Sequence, residues 1–297
     1  MRVKFWGVRS GLASPGRATL GVGGNTPCIE IRTATNALLV LDAGIGLHWL
    51  GRTLLAGPHG RGQGETTIFL SRTHWDHIQG IPFFIPAFLP GNRVNIHGAG
   101  LSNVAKSMTL RAILEGQMSE SYSPIVSLTN MPSIRNVSDV TPGKAIEVGG
   151  VTVLPRVVLR DGQDAESIAY RIEEEGRALV YVSDVEYAKG EPDSEIVAFA
   201  KDASLIVHEA YFTEDERRRA KEGRGADPLR SPHHATFGEA TELALRAGAK
   251  RLFYSQHHPD HDDATIESAV LAEREKVRKR GSSLEVETAR EGVELVV

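Results

Sequence analysis

The chain passes twice through one progression, a set of short strands followed by amphipathic helix, and this doubling most limits what it can fold into. In the first half, alternating apolar and polar residues predict strands over 2–6, 27–33, 37–42, 66–71 and 93–97, parted by glycine-rich turns. Apolar residues three and four apart predict helices over 45–55 and 102–114. After a looser stretch through Pro142, strands resume at 145–159, 167–173 and 178–183, the last two joined across Glu175-Gly176 as a hairpin. A helix over 193–202, a strand over 205–210, a helix over 237–247, a strand over 251–255 and a charged helix over 264–280 follow, and 284–297 holds two short β segments. Strand sets that each carry helices suit two sheets packed face to face with the helices outside, a four-layer αββα sandwich of the α/β (α+β) class.

The length of 297 residues and the 41% apolar content suit one domain with a sizeable core. A net charge of −4 gives no support to a broad nucleic-acid-binding face, although Arg217-Arg218-Arg219 is compatible with a phosphate-bearing ligand. One cysteine, Cys28, excludes an intrachain disulfide and points to a reducing, cytoplasmic setting; within its strand it reads as a small core residue. The longest apolar run, 78–89, is broken by Pro82 and Pro86 and falls short of the roughly 20 residues a membrane span needs. The chain opens directly on a strand pattern, so neither secretion nor membrane insertion is expected. Gly23-Gly24-Asn25 lacks a strand before it and a helix after it, and reads as a turn rather than a dinucleotide loop.

The chemistry-bearing segment follows the strand at 67–71: Arg72-Thr73-His74-Trp75-Asp76-His77-Ile78-Gln79-Gly80. His74, Asp76 and His77 emerge together where a strand gives way to a helix, and they offer nitrogen and oxygen donors of the kind that zinc, manganese or iron accept. By itself the segment also reads as a polar helix start with Asp76 near its N-terminus.

Several ordered motifs accompany it: Phe5-Trp6-Gly7-Val8-Arg9, Gly23 to Cys28, Leu41-Asp42-Ala43-Gly44, Ser183-Asp184, His208-Glu209-Ala210-Tyr211, His234-Ala235-Thr236 and Pro259 to Asp263. Together they resemble the metallo-β-lactamase-fold metallohydrolases, and among these the ribonuclease Z-like and cyclic-nucleotide phosphodiesterase-like branch. The resemblance implies a metal site drawn from His74, Asp76, His77 and the bridging aspartate Asp184. It also implies His234 facing a scissile phosphate, Glu209 or Asp76 orienting neighbouring groups, and Asp42 supporting a ligand histidine from behind.

The departures bear on metal content. The family's first histidine falls on Arg72, whose guanidinium has five donors and no acceptor lone pair. A further family histidine belongs before the strand at 167–172, but none occurs between His97 and His208; Arg160, Asp161, Gln163, Asp164 and Glu166 stand there instead. A final one falls on Gln256, or on His257 if the register slips by one, and the sequence leaves the two open. His257 and His258 also read as solvated loop histidines, and His208 as a buried strand histidine.

The expectation is therefore one ion, held by Asp76, His77 and Asp184, with His257 joining them if the register slips, or none, with Arg72 filling the vacated space and pairing with Asp184. The function expected is metal-dependent hydrolysis of a small phosphodiester or nucleotide, by a chain that resemblance suggests forms homodimers. The alternative is a lapsed relative that binds a nucleotide or a protein partner. Thioester or β-lactam hydrolysis fits less well, because the motifs around His208 and His234 resemble those of phosphodiesterases.

Overall fold

The computed structural model describes residues 1–102, 107–121, 123, 127–158, 167–187, 190–222 and 234–297. The first sheet takes β1 (Arg2–Gly7), β2 (Cys28–Arg32), β3 (Leu38–Leu41), β4 (Glu65–Phe69) and β5 (Arg93–Gly98). A small hairpin, β6 (Leu101–Ser102) with β7 (Ser107–Met108), stands apart before β8 (Ile134–Asp139) completes that edge. The second sheet takes β9 (Ile146–Val148), β10 (Val151–Val158), β11 (Ser167–Glu174), β12 (Arg177–Val182), β13 (Leu205–Glu209), β14 (Arg251–Ser255) and β15 (Glu285–Thr288). β16 (Glu294–Val296) returns to the first sheet beside β1.

The sheet orders are β16-β1-β2-β3-β4-β5-β8 and β15-β14-β13-β12-β11-β10-β9. Each is antiparallel along one side and parallel along the other, the parallel runs being β3-β4-β5-β8 and β12-β13-β14-β15. In an α/β sheet, ligands gather outside the carboxyl ends of parallel strands. Those ends are where Asp42, Arg72, Asp184, Glu209 and Gln256 lie.

Helices α1 (Gly46–Leu54), α2 (Trp75–Ile78) and α3 (Leu110–Gln117) accompany the first sheet, whose outer face shares an apolar cluster with residues of all three. Cys28 is buried in that cluster, beside Val40 and Leu47. The second half carries α4 (Ser194–Phe199), α5 (Glu214–Lys221), α6 (Phe237–Ala247) and α7 (Asp263–Lys279). A larger cluster joins the inner faces of both sheets. Phe69 of β4 meets Tyr170 of β11 at 5.4 Å, and Phe5 of β1 stacks on Phe253 of β14 at 5.9 Å. Tyr170 also donates its hydroxyl to the Leu70 carbonyl at 2.7 Å, so a hydrogen bond pins one sheet to the other.

The predicted αββα sandwich is the observed one, with local corrections. The strand predicted at 145–159 is two strands, because Gly149 and Gly150 turn the chain through positive φ (59° and 83°). The helix predicted at 102–114 starts only at Leu110, where Thr109 accepts the Ala112 N–H and caps it. β8 escaped prediction because it is an edge strand with no clean apolar alternation. α5 escaped because it is polar almost throughout; its start is set by the Thr213–Glu216 capping box. Arg160, Asp161, Gln163, Asp164 and Glu166 lie outside the described residues. Among those described, no helix is long and apolar enough to cross a membrane.

Candidate metal centre

Three strands end at the centre in a strained turn. Asp42 after β3, Asp184 after β12 and Gln256 after β14 have φ of 58°, 49° and 52°. A non-glycine residue held there costs roughly 1–3 kcal/mol, and such strain gathers at functional sites. The two aspartates thereby turn their carboxylates inward on opposite sides of His77, from α2.

His77 is fully buried among carboxylates. Its Nδ1 lies 2.9 Å from Asp42 Oδ2, and its Nε2 lies 2.8 Å from Asp184 Oδ2 and 3.4 Å from Asp76 Oδ2. Burial disfavours its charged form, yet Asp76, Asp42 and Asp184 outweigh that and hold its pKa well above the usual imidazole range. Asp184 shows the converse. Burial alone would raise its pKa, but His77, then His234 and Arg72, keep it well below the usual carboxylate range.

Supporting groups fix these atoms. Asp42 accepts from the Ser71 N–H at 2.8 Å and from its hydroxyl, and from the Tyr181 hydroxyl at 2.6 Å. Burial, with Asp42 adding to it, keeps the Tyr181 phenol protonated and so a donor. Asp76 Oδ2 takes the backbone N–H of Gly11 at 2.6 Å, which closes the loop after β1 over the centre. His74 caps α2 with its backbone and is exposed, so it does not join the buried cluster.

On the far side of Asp184, Glu209 accepts the Val185 N–H at 2.7 Å and the Ala235 N–H at 2.9 Å through Oε1. Its Oε2 holds His234 Nδ1 at 3.1 Å. The His234 ring stacks on Tyr211 at 4.2 Å, and its Nδ1 lies 3.9 Å from Asp184 Oδ1. Arg217, buried, donates to the His234 carbonyl at 3.0 Å and pairs with Glu239. Arg217 therefore braces the His234 turn rather than offering an exposed basic patch; Arg218 and Arg219 pair with Asp215 at the surface.

Gln256, not His257, faces the cluster. Its Nε2 donates to the Tyr181 hydroxyl at 2.6 Å and to Ser183 at 2.9 Å. The expectation of His257 as a ligand is corrected by its surroundings. The ring is fully buried, burial drives its pKa well down, and its nitrogens meet the Ala210 carbonyl at 3.3 Å and the Thr288 hydroxyl at 2.8 Å. Neither His257 nor His258 is solvated, since both are buried. His208 is a core histidine, held neutral by burial between the Tyr187 hydroxyl at 2.8 Å and the Glu209 carbonyl at 2.7 Å. Arg72 is buried with its Nη1 3.6 Å from Asp184 Oδ1 and 3.4 Å from Ser167 Oγ.

A family model described as a beta-lactamase superfamily domain matches residues 38–258. Ribonuclease Z of Halorubrum lacusprofundi is 30% identical over 274 residues, covering 78% of this chain and 83% of that protein. The chain belongs to the metallo-β-lactamase superfamily, in its ribonuclease Z-like branch. Solved structures agree on the fold. The metallo-β-lactamase fold protein YhfI from Bacillus subtilis superposes with a TM-score of 0.66 at 18% identity, over 99% of both chains. The short form of human tRNase Z superposes at 0.64 and 17%, over 100% of this chain and 99% of that one.

Membership implies a divalent ion, and the side chains can be tested for one. Ligand atoms around a tetrahedral zinc lie roughly 3.3–3.5 Å apart. His77 Nε2 at 3.4 Å from Asp76 and 2.8 Å from Asp184 fits such a set after a slight opening. Its other nitrogen is held by a carboxylate, the arrangement that orients a metal-ligating histidine. Asp184, Glu209 and His234 form a second grouping, with one ligand atom of each within 4.8 Å of the others. There Glu209 is already committed to three N–H donors. Around His77 the distances to Asp76 and Asp184 are of ligand-pair size, and around Glu209 the three groups also approach within 4.8 Å.

Proposed function

We propose that the chain is a metal-dependent phosphodiester hydrolase working with one ion at Asp76, His77 and Asp184. The observation that supports this reading is His77 Nε2 facing both Asp76 and Asp184, beside a second, carboxylate-braced histidine, His234. An ion so held would supply a water of lowered pKa as nucleophile. Zinc suits the ligand set, and manganese or iron would also be accepted.

The chain's own groups supply the rest. Asp42 holds His77 so that Nε2 points at the two ligating aspartates. Glu209 takes the Nδ1 proton of His234, a tautomer assigned from the hydrogen bond, so Nε2 is the atom that carries a proton to a leaving alkoxide. Tyr211 keeps the ring in plane by stacking. Trp75, 68% exposed and next to Asp76, offers an indole face on which a base can stack; exposed Leu12, next to Gly11, adds an apolar edge. A small nucleotide or RNA-like phosphodiester is the substrate class this favours, in accord with the ribonuclease Z relative. A lapsed binding protein is the second reading, favoured by Arg72 standing where a ligand would.

The test is hydrolysis of bis(p-nitrophenyl) phosphate and of cyclic nucleotides by protein supplied with zinc or manganese. Activity that disappears in His77→Ala supports the reading, and activity no greater than that variant's sinks it.

A further inference from the structure

Asp184 meets different cations through its two oxygens. Oδ2 lies 2.8 Å from His77 Nε2, the nitrogen suited to hold an ion with Asp76. Oδ1 instead lies 3.6 Å from the Arg72 guanidinium, and the two side chains are only 2% and 3% exposed. Ser167 Oγ, at 3.4 Å from Arg72 Nη1, gives the guanidinium a further acceptor, and Ser167 in turn donates to the Asp184 carbonyl at 2.9 Å. Arg72 is thus fixed against both the side chain and the backbone of the residue it faces.

A guanidinium keeps its proton throughout the accessible pH range and has no lone pair to give. A divalent ion approaching Oδ1 would meet a fixed positive charge in a buried setting, where screening is weak. Removing an ion from the Oδ2 side, by contrast, leaves Asp184 still paired. A buried carboxylate left without a partner would be strongly destabilising.

Resting on the one-ion reading above, we propose that Arg72 is a resident cation standing in for a second metal ion. It limits the centre to one ion per chain and, with His77 on the other oxygen, keeps Asp184 paired when that ion is absent.

Two measurements on the full chain test this. Elemental analysis of zinc-saturated protein is expected to give no more than one ion per chain; two ions would overturn the proposal. Thermal unfolding in chelator then compares the parent with Arg72→Met, which keeps bulk and loses charge, and Arg72→Lys, which keeps charge. The Met variant is expected to melt roughly 5–10 °C lower, with Lys recovering most of the loss. Equal melting of the Met and Lys variants, or no loss in either, would assign Arg72 a packing role and overturn it. Absence of any bound zinc together with a Met-specific loss would remove the hydrolase reading and leave Arg72 as a neutralising cation beside His77, so the two ideas fail separately.

Discussion

The two flanks of Asp184 carry similar residues in different hydrogen-bond settings. Toward β4, Asp76 and His77 bring an oxygen and a nitrogen to one point, and Asp76 Oδ2 is fixed by a single backbone N–H, that of Gly11. Toward β13, Glu209 and His234 are a carboxylate and an imidazole at similar range, but Glu209 spends its oxygens on Val185, Ala235 and His234. A count of acidic and histidine side chains would rate the flanks alike. The hydrogen bonds separate them: on the first flank Asp76 and Asp184 both face His77 Nε2, where we propose the ion, and on the second the carboxylate is used to aim a histidine.

The widest separation between the flanks is expected from His77→Ala. It removes the central nitrogen and should lower both zinc occupancy and phosphodiesterase rate by more than the roughly 100-fold that follows loss of a supporting partner. Elemental analysis beside the rate decides it, and retained zinc would show that the ion sits elsewhere. His234→Ala should cost about 10²-fold or more in kcat while zinc content is unchanged, as for loss of a general acid. Loss of the ion in that variant would instead make the second flank a ligand set. Asp42→Asn keeps shape but replaces the carboxylate behind His77, and is expected to weaken zinc affinity by about 10-fold, read by competition with a chromophoric chelator. Unchanged affinity would mean that Ser71 and Tyr181, rather than charge, fix the ring.

The first flank was legible in the sequence because its residues are contiguous: a strand, then Asp76 and His77 within one turn of helix. The second flank was legible only through resemblance, since Glu209 and His234 come from separate elements. Tyr181 and Ser71 gave no signal, being ordinary side chains on or just past strands whose inward faces cannot be matched across two sheets from one sequence, and Ser183 entered only beside Asp184 in its motif. The choice between Gln256 and His257 was undecidable for a local reason. The left-handed turn at Gln256 (φ 52°) takes the next residue out of the strand's alternation, and His257 lands beneath Thr288. His74 stands at the N-cap of the helix, exposed, while Asp76 and His77 of the same motif are buried. The 620 Å³ cavity lined by Arg32, Leu54 and His59 lies at the opposite strand ends, near the starts of β3 and β4, and so takes no part in this chemistry.

The smallest expected effect lies just behind the second flank, where α5 is tied to the loop before α7. Glu216 lies 2.9 Å from His261 Nε2, and its pKa falls to about 2 from the usual 4.5 of a glutamate. Burial by itself would raise it. The hydrogen bond and charge of His261, with the N–H and hydroxyl of Thr213, overcome that. Because the folded pKa is depressed, the stabilisation is complete above the unfolded value and is lost as pH falls from about 4.5 toward about 2. Glu216→Gln should therefore flatten the acid limb of unfolding midpoint against pH over that window and leave the neutral limb with only a modest offset. The carboxylate is about one-third exposed, which keeps the effect small. Zinc content should not change, because Glu216 and His261 pair with each other outside the proposed ion set. A variant that lost zinc as well as its acid dependence would show that the second flank reaches the ion through α5, and the separation between the flanks would fail.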